Sequence, residues 1–218
     1  MASGISSAQW SRTSGDKMLN RSHSKLSFRT VRRVFTCLML AASSGAFGEN
    51  LRTFTNQEFG FTFQYPVAWT VQPPGTPNSR AKVVSPKGSP YAECAVIVQR
   101  YPQLSSLKQV DIDQVFAKRP PASEVKEGLR QGFNDVAVLA VSVGALHSRP
   151  AHLARVRYSV GTQSGKMFSS GRIVSTATPG LTWTVGCGGR GRSFDDAEKG
   201  YQYWQAAINN IIFSFRFR

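Results

Sequence analysis

The sequence predicts an α+β domain in which an antiparallel sheet of about six strands is flanked by helices. Three observations carry this expectation. Apolar residues recur at period two in several segments, most clearly Phe59, Phe61, Phe63 and Tyr65 with Gly60, Thr62 and Gln64 between them. The later segments of this kind are joined by links too short for a crossover, so their strands must pair antiparallel. Near the end, Ala197, Tyr201, Trp204, Ile208 and Ile211 recur at spacings of four and three, which predicts a long C-terminal helix with one buried stripe.

Residues 1–48 read as a leader. They hold seven Lys/Arg against a single acid, Asp16. Arg29, Arg32 and Arg33 precede the apolar run that starts at Val34, and the small residues Ala46 and Gly48 suit cleavage before Glu49. Ser44 and Ala46 suit cleavage before Phe47 instead. The apolar run, about 14 residues counted generously, is too short to span a bilayer. Cys37 lies inside it and is expected to leave with it. Met18 is an alternative start. Arg32-Arg33 resembles part of a twin-arginine signal, and the Ser/Arg-rich opening also fits an organellar transit peptide. Residues 49–218 are then expected to form one mature domain, periplasmic or secreted, with the thylakoid lumen as the alternative compartment.

In that domain the first strand presents its aromatics to the core, ends at Pro66, and is followed by Trp69 turning back onto the same face. Gln72–Ser79 is a loop by its Pro, Gly and Asn content. Ala81–Ser85 is a short strand. Glu93–Tyr101 is apolar on both faces, Cys94, Val96 and Val98 against Ala95 and Ile97, and is expected at the centre of the sheet. Asp111 and Gln114 make a capping-box pair for a short helix stopped by Pro120-Pro121, with a polar helical piece over Ser123–Arg130. A meander comes next, with strands at Val136–Val143, His152–Val160, Lys166–Ala177 and Leu181–Cys187. Ser193 caps the main helix, with Asp195 and Asp196 in its first turn. Phe213, Phe215 and Phe217 alternate with Ser214, Arg216 and Arg218, predicting a final edge strand with phenylalanines inward.

The opening Gly60-Phe61-x-Phe63-x-Tyr65-Pro66-x-x-Trp69, the meander, the C-terminal helix and the Ser214-Phe215-x-Phe217 ending together resemble the PsbP-like superfamily over most of residues 54–217. That group includes a photosystem II oxygen-evolving subunit and DcrB-like bacterial envelope proteins. The resemblance implies an antiparallel sheet sandwiched between helices and a role without catalysis. The metal-binding residues of some relatives have no counterpart here, so no metal or cofactor is expected.

Residues 49–218 carry 20 basic and 11 acidic side chains, a surplus of +9 spread along the chain. No Lys/Arg run resembles a nucleic-acid arm, which argues against that partner. His147 and His152 have no Cys or carboxylate beside them to complete a metal set. Gly186–Ser193 is the best candidate site, because a glycine-rich link into a helix N-terminus flanked by Arg190 and Arg192 can take an anion. Asp195 and Asp196 oppose that, and the same glycines serve a tight strand-to-helix loop equally well. Tyr201, Tyr203 and Trp204 suggest a stacking platform, but Tyr201 and Trp204 stand at core spacing. Removing Cys37 leaves Cys94 and Cys187, an even pair for an oxidising compartment; the readings are a Cys94–Cys187 disulfide or two buried free thiols. Arg216 and Arg218, with Arg190 and Arg192, are candidates for docking an acidic partner or lipid headgroups, the bland alternative being protection of a strand edge.

The expected function is an exported, non-enzymatic binding or assembly accessory of the cell envelope, its partner an envelope protein or complex. Two alternatives stand beside it: a hydrolase-like enzyme using the loop 186–193, and a basic module adsorbed to anionic lipid or polymer.

Overall fold

The computed structural model describes residues 50–163 and 165–218, so the leader reading lies outside the described residues. Ten strands form two sheets among the described residues. The smaller joins β1 (Leu51–Asn56), β2 (Phe61–Pro66) and β10 (Arg216–Phe217) in the order β1-β2-β10. The larger takes up β3 (Thr70–Val71), β4 (Ser79–Val84), β5 (Ala92–Arg100), β6 (Asn134–Leu146), β7 (Arg149–Thr162), β8 (Gly165–Thr178) and β9 (Leu181–Gly191). Its order is β3-β4-β5-β9-β8-β7-β6, antiparallel throughout. The architecture is therefore α+β as expected, with seven strands in the main sheet and a second sheet that the alternation did not reveal.

β2 follows its sequence pattern: Phe61, Phe63 and Tyr65 are buried, and Thr62 and Gln64 are not. Phe59 precedes the strand, because Gly60 turns the chain at φ +63, and its ring is half-buried under the Arg80 guanidinium. β1 was missed because its residues are mostly exposed; Phe54 alone reaches the aromatic cluster, stacking on Phe63 at 5.1 Å. β5 lies between β4 and β9, where a strand apolar on both faces belongs. The meander β6–β9 turns tightly at His147-Ser148 and at Pro179-Gly180, with His147 at φ +58 and Gly180 at φ +75.

Helices α3 (Phe194–Tyr203) and α4 (Gln205–Phe213) cover one face of the large sheet together with the small sheet. The long helix predicted from residues 193–213 is thus two helices, broken at Trp204, whose φ −100 and ψ 11 are not helical. The stripe still holds: Ala197, Tyr201, Ile208 and Ile211 are buried, and Trp204 packs edge-on against Trp69. Ser193 caps α3 as expected, accepting from the Asp196 amide at 3.1 Å. The opposite face is partly covered by α1 (Gln109–Phe116) and α2 (Ala122–Arg130). α1 begins two residues before Asp111 and has no side-chain cap; the Gln109 amide donates instead to Asp113 and to the Ala177 carbonyl. Phe213 is not an inward strand residue. It ends α4 and is 60% exposed, whereas Phe215 is fully buried.

One ion-pair network fastens α3 to the sheet. Glu198 accepts from Arg155 at 2.7 Å, Arg157 at 3.3 Å and the buried Ser170 hydroxyl at 2.6 Å. The Arg155 guanidinium also lies over the Tyr201 ring at 3.8 Å. Partial burial pushes the Glu198 carboxyl up, but the hydrogen bonds from Ser170 and Arg155 and the Arg155 charge outweigh it, holding the group down at about 2. A carboxyl lowered on folding stabilises fully above its unfolded value, near 4.5, and that contribution is lost as pH falls towards 2. Glu198→Gln should therefore cost about 2 kcal/mol at neutral pH and almost nothing at pH 2. Thermal unfolding of both proteins between pH 7 and 2 checks this; a gap that stays constant across the range would refute it.

Candidate binding cleft on the open sheet face

The sheet face turned away from α3 and α4 is only partly covered, and cross-strand register fixes what it displays. Tyr158, Ser169 and Arg190 stand side by side on β7, β8 and β9. In the next row come Val156, Gly171, Gly188 and Glu93, and then Ala154, Ile173, Gly186, Ala95 and Lys82. Gly171, Gly188 and Gly186 therefore make a trough in the sheet. A side chain at Gly171 or Gly188 would strike the neighbouring strand's backbone, whereas a Cβ at Gly186 would meet nothing within 4 Å. The loop at Gly75 and Thr76 walls one side and Leu129 and Phe133 the other, enclosing a cleft of about 540 Å³. That volume falls in the range of small-molecule sites, roughly 300–1,000 Å³.

One end of the cleft is charged. The buried Glu93 carboxylate takes Arg190 on one oxygen and Lys82, at 3.3 Å, on the other, which also accepts from the Tyr91 hydroxyl at 3.2 Å. Burial, and then the Glu93 charge, push the Tyr91 phenol up to about 12, so it stays a donor. Burial likewise raises Tyr158, whose hydroxyl faces Ser169. Ser169 is 3% exposed, and its Oγ meets the Tyr158 hydroxyl only loosely, closing no well-formed hydrogen bond among the described residues.

Cys94 and Cys187 are direct partners on β5 and β9, and their sulfurs are bonded, closing 93 residues. Both are buried on the helix-covered face, so the bond staples the two strands beneath the cleft floor.

No family model matches the sequence, and no curated protein matches it. Among solved structures, the chain superposes on cyanobacterial PsbP (CyanoP) from Synechocystis sp. PCC 6803 with a TM-score of 0.50 and 15% identity, over 82% of this chain and 99% of that one. The fold is PsbP-like. LpqN of Mycobacterium tuberculosis, described as involved in cell envelope biogenesis, aligns at a TM-score of 0.45 and 10% identity, over 76% of this chain and 89% of its own.

On this PsbP-like frame the sequence-derived candidates separate. Gly186–Gly191 is strand, not a loop into a helix. A Cβ at Gly189 would collide with the backbone of Ala197 and Tyr201, so that glycine lets α3 lie on β9. Ser193 and Asp196 occupy the helix start, and Arg190 is turned to the cleft and paired with Glu93, which removes the anion-loop reading. Arg192 is exposed. Arg216 belongs to the small sheet on the other face and donates to the Phe213 and Phe215 carbonyls at 2.7 Å, closing the end of α4. The exposed Arg218 is tied there through its amide to the Gly60 carbonyl at 2.8 Å. The four arginines therefore form no single patch. His152 is a strand residue that packs on Phe116 and bonds the Lys118 carbonyl, while the His147 ring accepts from the Phe217 amide. The two imidazoles serve different contacts, and no group of three or more metal-ligating side chains occurs among the described residues. Tyr201 is core and Tyr203 is exposed, so no stacking platform forms. The cleft itself was missed in the sequence. The available signal was the recurrence of Gly and small residues within strands, where they mark close backbone approach or open space.

Proposed function

We propose that this chain is an exported, non-enzymatic binding or assembly accessory of the cell envelope, and that it binds through the glycine-floored cleft on its sheet. The observation that carries the reading is the trough of Gly171, Gly186 and Gly188 walled by Leu129 and Phe133. Export is supported by the leader pattern of residues 18–48 and by the Cys94–Cys187 bond, which suits an oxidising compartment. The binding class is supported by a concave apolar surface whose buried carboxylate, Glu93, is occupied by charge pairing.

Gly186→Ile fills open space with a residue favoured in strands, so it should block the cleft without unfolding the protein. Native mass spectrometry of full-length protein recovered from envelope fractions is expected to find a small molecule on the wild type and none on the variant, with the two melting within a few degrees. A small molecule retained by Gly186→Ile, or carried by neither protein, would dismiss the cleft as the binding site.

A further inference from the structure

We infer that the cleft is built for a hydrophobic carboxylic acid, its carboxylate held by Arg190 and Ser169, where the charges of Lys82 and Arg190 together outweigh that of Glu93, and its apolar body lying along the glycine trough. This rests on the cleft being the binding site.

The charge balance selects the headgroup. Lys82 and Arg190 share one carboxylate, Glu93, so the end of the cleft holds two cations against one anion. A surplus of one positive charge in a half-buried place matches a monoanion and leaves a phosphate dianion undercompensated. A cationic ligand would find no unengaged carboxylate there, since both Glu93 oxygens already accept. Donors remain available for the acid. One Arg190 nitrogen donates to the Met167 sulfur at 3.5 Å, a weak acceptor that a carboxylate oxygen would replace with gain. The neighbouring Ser169 hydroxyl is buried with only a loose contact to the Tyr158 hydroxyl, and it stands beside Arg190 in cross-strand register. An acid carboxylate at this row would satisfy both.

The apolar stretch of the cleft selects the body of the ligand. Beyond the charged end the floor is Gly171, Gly186, Ala95, Ile97 and Ile173, with Phe133 on the wall and with Ser175 and Thr184, whose hydroxyls bond each other at 3.2 Å. These offer dispersion contact and few hydrogen bonds, which suits an acyl chain or aromatic skeleton and disfavours a sugar. The glycines let such a skeleton lie against the backbone itself.

Fluorescence titration of the full-length chain with cis-parinaric acid and with its methyl ester tests the assignment, because the two share one hydrocarbon chain and the ester replaces the charged headgroup with a neutral one. The acid is expected to bind wild type about tenfold or more tightly than the ester. Lys82→Gln with Arg190→Gln should collapse that preference to about threefold or less while leaving the ester unchanged. Glu93→Gln removes the competing anion, so it should strengthen acid binding, and the acid should raise its melting temperature more than that of wild type. A gain of this kind cannot come from misfolding. Gly186→Ile should abolish both titrations. Equal binding of acid and ester, with both lost in Gly186→Ile, overturns the carboxylate assignment and leaves the cleft standing. Failure of both probes to bind wild type, or binding indifferent to Gly186→Ile, overturns the cleft and the inference together, and an ester that binds where the acid does not overturns the carboxylate assignment.

Discussion

Loss of the Cys94–Cys187 bond is expected to lower the melting temperature by about 5–15 °C. The bond closes 93 residues, for which the chain-entropy model gives a stabilisation of roughly 4–5 kcal/mol. Measured losses of native disulfides are commonly about 2–5 kcal/mol, and for a domain of this size each kcal/mol is about 2–4 °C. The cysteines are register partners whose neighbours Val96–Val185 and Ala95–Gly186 continue the ladder, so the β5–β9 pairing should survive. The protein should therefore stay folded and unfold earlier. Calorimetry with and without reductant, and on the Cys94→Ala, Cys187→Ala double variant, measures this. A melting temperature unmoved by reductant would mean that the bond contributes nothing to stability.

Phe61→Ala should cost about 3–5 kcal/mol, the range for emptying a fully buried aromatic site. Its ring is wholly buried and stacks on Phe215 at 5.5 Å, meets Trp183 edge-on at 6.1 Å, and touches Phe54 and Phe63. Through Trp183 it joins the small sheet to the large one. Phe59→Ala, two residues away, should cost about 1 kcal/mol or less, since that ring is half-buried under Arg80 at the surface. Urea unfolding of both variants decides the matter. Similar losses for the two would show that the aromatic run is not divided between core and turn as described.

The division between what could be read from the residues and what could not has physical causes. Alternation made β2 and the meander legible, because each has one face in the core, and β5 was legible as a short run apolar on both faces. The same rule failed for β1, where Phe54 is the sole residue of the strand packed against the core, and pairing with β2 replaces burial. It overreached at Phe213, because a residue three places before a strand can still belong to a helix end. The break at Trp204 was hidden by a stripe whose spacing survives a single non-helical residue. The disulfide was legible as an even pair but needed strand adjacency to decide it. The candidate cleft depends on glycines from two strands meeting, and nothing local in Gly171 announces that Gly188 lies beside it. The glycine-rich stretch was read as a loop into a helix, whereas Gly186–Gly191 continues strand β9.

The small sheet has a further consequence, for the timing of folding. β2 is paired on one side by β1, its neighbour in sequence, and on the other by Arg216 and Phe217. Its two flanks are therefore completed at opposite ends of the described chain, and the aromatic layer over Trp183 stays open until Phe215 arrives. Contacts of such long sequence separation form late and slowly. A polypeptide drawn through a narrow channel from its amino terminus would thus remain pliable for most of its passage. It would lock only after the segment carrying Phe215 and Phe217 had emerged.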